Sequence, residues 1–283
     1  MTKLAWLVDT AAGFTEEETA QYPLFVVPMG VIINGTHYVD QQELSTERFY
    51  ELLNEYGEGA KTSQPNFQSM LEAYEAIKQE GYDAVIAVHP SSELTGSYQN
   101  SVAASKEVDI QSAVIDSKIG AYPYKKMVLE GMKAAEDGRS FDDVVQLVES
   151  FPPKAQLLLQ PKNLHQLKRS GRVTASQSFL AGLLNIQLIL HFEEGKVAPF
   201  EKMRTKKKVF ERLIAIASEN IENHQLTEIA VMNAGDLEQA KKYVEALQAL
   251  HPELLIHEER LVPVAGVHTG YGTVGIGWLD TKN

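Results

Sequence analysis

Cysteine is absent from this 283-residue chain. Its absence removes disulfides, thiolate catalysis, iron–sulfur clusters and cysteine-ligated zinc together. Long apolar runs are also missing, and none approaches the ~18–20 residues that cross a bilayer. Basic residues are in deficit: 26 Lys and Arg stand against 38 Asp and Glu, a net charge of −12. A nucleic-acid binder normally carries a net basic domain, so that class is disfavoured. The eight histidines fall at no metal-ligand spacing, and neither H-E-x-x-H nor G-x-S-x-G occurs. No metal and no cofactor are expected. Gly270-Tyr271-Gly272-Thr273-Val274-Gly275 copies a dinucleotide motif, yet only eight residues follow Gly275. The helix and the acidic residue that such a site requires have no room there. The Gly57–Thr62 stretch lacks the spacing of a phosphate loop, so the chain is not expected to bind ATP by itself.

What is present is an ordinary globular balance, 44% hydrophobic and 23% charged, with enough apolar residues to bury a core. Short apolar runs alternate with amphipathic ones. Leu4–Val8, Ala84–Val88, Leu157–Leu159, Ile186–His191 and Glu228–Met232 read as strands. Phe67, Met70, Leu71, Tyr74 and Ile77 lie on one helical face, and 206–221 and 237–250 read as further helices. Asn34-Gly35 marks a hairpin. Phe151-Pro152-Pro153-Lys154 is the clearest linker, because paired prolines suit neither a helix interior nor a central strand. The expectation is therefore two α/β domains, residues 1–154 and 155–283, with a ligand between them or at strand ends. Residues from Met1 run straight into a strand pattern without a signal-peptide design, and a cytoplasmic location is expected.

Three hydroxyl-rich segments could seat an anion. Lys61-Thr62-Ser63-Gln64-Pro65-Asn66 precedes the Phe67 helix, where hydroxyls either cap the helix or share an anion with its N–H groups. Ser91-Ser92-Glu93-Leu94-Thr95-Gly96-Ser97 follows a buried strand and opens a helix, and Gly96 allows close backbone approach. Gly266-Val267-His268-Thr269-Gly270-Tyr271-Gly272 sets a histidine in a glycine-punctuated loop, accessible for donating to an acid group or moving a proton. Two basic clusters, one around Arg172 and one at Arg204 and Lys206–Lys208, interrupt the acidic background.

Taken in order, these segments resemble the DegV family of bacterial fatty-acid-binding proteins. Val8-Asp9-Thr10 is similar to its opening V-T-D-S, and Ser91-Ser92-Glu93-Leu94-Thr95-Gly96-Ser97-Tyr98-Gln99 to S-S-x-L-S-G-T-Y-Q. Ile115-Asp116-Ser117 matches I-D-S. Leu167-Lys168-Arg169-Ser170-Gly171-Arg172-Val173 resembles L-K-K-G-G-R-I, and Leu184-Asn185-Ile186-Gln187 resembles L-N-I-K. Gly266–Gly272 resembles G-x-H-T-G-P-G, with Tyr271 in place of the proline. The resemblance spans nearly the whole chain.

It implies an acyl chain in a tunnel between the domains. The carboxylate would be held by Thr62, Ser63, Ser92, Thr95, Gly96, His268 and Thr269, with Arg172 in support. Whether Ser92 or Thr95 makes the contact stays open at this level. Candidate tail contacts are Leu94, Ile119, Phe179, Leu183, Leu184 and Ile186. The resemblance further implies a non-enzymatic subunit that presents a long-chain fatty acid to an ATP-binding fatty acid kinase. The partner would make acyl phosphate for phospholipid synthesis, and lipid exchange would involve peripheral membrane contact. Two alternatives compete with this reading. One is a stand-alone lipid sensor or transport protein. The other is a hydrolase pairing a Ser or Thr with His268, with Asp9 or Asp116 as the orienting acid.

Overall fold

A computed structural model describes residues 2–57, 59–162, 166, 169, 171–174 and 186–282. Strands β1 (Leu4–Asp9), β2 (Leu24–Val27), β6 (Ala84–His89) and β7 (Gln111–Asp116) form one sheet in the order β2-β1-β6-β7. All its neighbours are parallel. A parallel sheet is covered on both faces, and its strands read as continuous apolar runs. Period-two alternation divides β1 between two cores. Ala5 and Leu7 join Met70, Tyr74 and Ile77 of α3 (Phe67–Gln79) and Ala104 of α4 (Ser97–Ala104). Trp6 and Val8 face the opposite way, toward Met127 and Val128 of α5 (Ala121–Glu136) and Val144 and Val148 of α6 (Phe141–Glu149). Gly131 makes that second face possible, because a Cβ there would stand 2.3 Å from the Trp6 ring.

The six-stranded sheet has the order β10-β9-β8-β13-β11-β12. Its strands are β8 (Ala155–Gln160), β9 (Gln187–Glu193), β10 (Lys196–Met203), β11 (Glu228–Asn233), β12 (Leu255–Arg260) and β13 (Val274–Leu279). Only β11 and β12 run parallel; the remaining pairs are antiparallel. Alternation again sorts the faces. Leu158, Ile189, Ile229 and Ile276 pack with Val209, Leu213 and Ala217 of α7 (Lys206–His224) and Tyr243 and Leu247 of α8 (Leu237–Leu250). Leu157, Leu159, Leu188 and Leu190 face the other way and join the same cluster as Trp6 and Val8. One apolar mass thus links the two large sheets, with α5 packed against β8 and β13. Gly277 lets Pro123 of α5 approach, since a Cβ would lie 3.0 Å from its ring. This is a two-domain α/β architecture, as the sequence implies.

A small antiparallel sheet, β4-β3-β5, completes the fold from β3 (Gly30–Ile33), β4 (Thr36–Val39) and β5 (Lys61–Ser63). Helices α1 (Glu16–Gln21) and α2 (Thr46–Tyr56) are capped by Thr15 and Ser45. Helix α9 (Pro263–Thr269) packs against α2, β3 and β5. The loop expected around His268 is therefore the last turn of a helix. Proline at its first turn starts it, because a missing N–H costs nothing there. No helix among the described residues is long and apolar enough to cross a membrane.

Candidate ligand-binding cavity

A cavity of about 410 Å³ lies where the three sheets meet. Its size falls in the ordinary range for small-molecule sites. Thr62, Ser63 and Gln64 come from β5 and the residue after it; Leu94 and Thr95 from the β6–α4 loop; Arg172 and Val173 from the segment before β9. Leu157 and Leu159 come from β8, and Val264, Ala265, His268 and Thr269 from α9. Residues from both sides of position 154 build the wall.

The polar groups are concentrated. Register places Thr62 opposite Val31 and Ser63 opposite Gly30. Gly30 is required there, because a Cβ would stand 2.2 Å from the Ser63 hydroxyl. Nε2 of His268 lies 2.8 Å from Oγ1 of Thr62. Its Nδ1 is buried and meets no hydrogen-bond partner among the described residues. Burial first, and the positive charge of Arg172 second, push the His268 imidazole down to about 4. The ring is therefore neutral at physiological pH, with one donor and one acceptor nitrogen. Arg172 donates through Nε to the Leu94 carbonyl at 2.8 Å, which ties the cation to the β6–α4 loop. Thr95 Oγ1 lies 3.2 Å from the Ser97 hydroxyl. Thr269 donates its hydroxyl to the Ala265 carbonyl within its own helix.

Seven of the residues singled out from the sequence share this wall: Thr62, Ser63, Leu94, Thr95, Arg172, His268 and Thr269. Ser92 does not. Its hydroxyl donates to Asp116 Oδ2 at 2.5 Å and its N–H to Oδ1 at 3.2 Å, because β6 and β7 are registered His89 to Asp116. Gly96 is absent from the wall as well, and its N–H donates to Gln64 Oε1 at 2.8 Å. Ile119 is buried but lines a second pocket. Ile186 packs on the shared core rather than on the cavity. Phe179, Leu183 and Leu184 lie outside the described residues. His268 is half-buried with its Nδ1 sealed, not loop-exposed. Gln64, whose sequence signal is only its place beside the hydroxyls Thr62 and Ser63, also lines the cavity and accepts the Gly96 N–H. Phe192 and Val197 carried no signal beyond strand alternation.

The chemistry open to this wall is limited. Thr62 and His268 have the spacing of a nucleophile and its base, but neither proposed orienting acid meets His268. Asp116 is engaged by Ser92, and Asp9 faces His89 at 3.6 Å. Among the described residues, no group of three or more His, Asp or Glu side chains could hold a metal ion. A long apolar wall with neutral donors at one place and a cation close by suits an amphiphile with an acidic head.

A family model described as "Uncharacterised protein, DegV family" matches residues 3–281. The chain belongs to the DegV family. The DegV domain-containing protein of Halalkalibacterium halodurans is 30% identical over 283 residues, covering 100% of both chains. Protein DegV of Bacillus subtilis is 30% identical over 277 residues, covering 97% of this chain and 98% of that one. Its crystal structure, described as that of a fatty acid binding protein, superposes with a TM-score of 0.90 at 29% identity, covering 99% of this chain and 100% of that chain. The fatty-acid-binding DegV family structure from Streptococcus agalactiae gives 0.92 at 27% identity, with 100% of each chain covered. Membership of the family accounts for the order of the six motifs and for the architecture around the cavity.

Proposed function

We propose that this chain binds a long-chain fatty acid in the cavity, with the carboxylate at Thr62, Ser63 and His268. Thr95 and Thr269 flank the head group, and Arg172 supplies a favourable potential. The observation that carries the reading is one apolar cavity whose neutral donors gather around a half-buried, neutral imidazole. Burying ~14 methylenes at ~0.8 kcal/mol each gives roughly 11 kcal/mol gross. Association costs about 4–15 kcal/mol. The tail therefore provides most of the affinity, and the hydroxyl set fixes which end faces outward. Neutral donors hold an acid that must later react less tightly than a bidentate arginine clamp would.

In this reading the chain is a carrier subunit without its own catalytic step. It presents the carboxyl group to an ATP-binding fatty acid kinase, whose acyl phosphate product feeds phospholipid synthesis in the cytoplasm. We place the boundary between its domains at residue 154, because the six-stranded sheet draws only on strands after it and the other two sheets only on strands before it. Native mass spectrometry of the purified protein, followed by extraction under denaturing conditions, tests the ligand. A released mass of a ~16–18-carbon fatty acid is expected for a site of this size. A protein that stays ligand-free after incubation with mixed fatty acids overturns the reading. Affinity capture tests the partner. Recovery of an ATP-binding protein that phosphorylates the bound acid is expected, and its consistent absence leaves a stand-alone carrier.

A further inference from the structure

Among the described residues, the polar lining of the cavity comes from β5 and the residue after it, the β6–α4 loop, Arg172 and α9. Three other segments contribute apolar groups: Gly120 and Ala121 at the start of α5, Leu157 and Leu159 of β8, and Phe192 and Val197 of the β9–β10 hairpin. Those same three segments run on to line a second pocket of about 540 Å³, through Lys118 and Ile119, Ala155 and Gln156, and Glu193 to Gly195. Asp116, Lys118, Glu193 and Glu194 make that second pocket polar. Among the described residues, one lines both spaces: Phe192. The register that pairs Leu158 with His191 sets Leu157 across from Phe192, and Val197 is its partner on the other side. Left-handed backbone at Lys118 (φ 53°) and Ala121 (φ 56°) turns the β7–α5 loop tightly, so that Ile119 and Ala121 serve opposite spaces.

We propose that Phe192 is the end wall of the acyl cavity and sets the longest chain the protein accepts. The inference rests on the fatty-acid reading above. A methyl terminus reaching Phe192 meets an aromatic face. One carbon further, it would enter a pocket lined by carboxylates and a lysine, where apolar burial is lost. Removing the ring vacates the volume it fills, and a longer chain extends into that apolar space before it meets the polar pocket. Enlarging the ring shortens the cavity.

The test is competition among palmitic, stearic and arachidic acids, supplied in equal amounts to delipidated protein and read by native mass spectrometry. Wild type, Phe192→Ala, Phe192→Leu and Phe192→Trp are compared, and the leucine variant keeps the test open if the alanine variant folds poorly. Each additional buried methylene is worth roughly fourfold in affinity. Phe192→Ala is expected to raise the ratio of arachidic to palmitic acid on the order of tenfold or more. Phe192→Leu should move it the same way by less, and Phe192→Trp should move it toward palmitic acid. Variants that carry fatty acid at the wild-type ratio overturn the assignment of Phe192 while leaving fatty-acid binding intact. A wild-type protein that takes up none of the three acids overturns the fatty-acid reading itself, and this inference with it.

Discussion

Two histidines, His89 fully buried and His268 half-buried, lie in opposite electrostatic settings. His268 faces a neutral hydroxyl, with the Arg172 cation near enough to lower its affinity for protons. His89, at the carboxyl end of β6, faces the buried Asp9 carboxylate at 3.6 Å. Asp40 is sealed close to Asp9, and burial raises its carboxyl to about 7. Neither Asp40 oxygen and neither His89 nitrogen meets a hydrogen-bond partner among the described residues. One cluster already contains its acids and is closed. The other holds donors without an acid and opens on the cavity. A further carboxylate at His89 would face Asp9 and Asp40, whereas at His268 it would face hydroxyls and the Arg172 cation; the proposed function therefore places the external carboxylate at His268, not His89.

The largest test of this contrast is pH. Asp40 holds its proton in the folded state up to about 7, whereas the ordinary carboxyl ionises near 3.8. The Asp40 contribution to stability should therefore be full below pH ~4 and be lost as pH rises toward 7, by about 4 kcal/mol at roughly 1.4 kcal/mol per pH unit. Urea denaturation of wild type and Asp40→Asn across that range should show the loss as the difference between the two profiles. An unchanged slope in the variant would remove Asp40 as its source.

His268 should act with the opposite sign. Its folded value of about 4 lies below the ordinary 6.5, so its contribution is present above pH ~6.5 and is lost as pH falls toward 4. The loss is about 3 kcal/mol in the ligand-free protein. His268→Leu should abolish that part of the profile and, under the proposed function, lower turnover by the kinase partner. A variant that keeps both would separate His268 from the head-group site.

A smaller effect follows at Thr62. Thr62→Val keeps the shape and removes the hydroxyl, which should weaken fatty-acid retention about tenfold, the worth of one hydrogen bond to a charged group. Kinase-coupled turnover should fall further than retention. Equal losses in the two readouts would assign Thr62 to binding alone. Ser92→Ala should do least to the ligand, because that hydroxyl serves Asp116. Fatty-acid affinity should stay within about twofold of wild type, and a larger loss would return Ser92 to the head group.

Sequence reading reached the two large sheets because their strands are apolar runs and their helices are amphipathic over several turns. Leu157, Leu158 and Leu159 show how far such a signal goes: alternation alone assigns the outer two to one face and the middle one to the other. Of the small sheet only the β3–β4 hairpin at Asn34-Gly35 was legible; β5 is the polar tripeptide Lys61-Thr62-Ser63 and owes its strand form to pairing with β3. Helix α9 was also missed, although Pro263 is a start signal. Its Gly266 looks like a loop residue but allows close packing, for a Cβ there would stand 2.7 Å from the Tyr50 hydroxyl. The hydroxyl motifs identified the segments of the site, and four of their hydroxyl residues, Thr62, Ser63, Thr95 and Thr269, reach the wall. They could not separate Thr95 from Ser92, because the choice depends on the register between β6 and β7. That register is a long-range fact.

The most direct measurement is an NMR titration of the His268 ring with and without bound palmitic acid. The ligand-free ring should titrate near 4. A carboxylate bound beside it favours the protonated imidazole, so the midpoint should rise by about one pH unit or more. A midpoint that is the same in the loaded and empty protein would contradict the placement of the acid head group at Thr62 and His268.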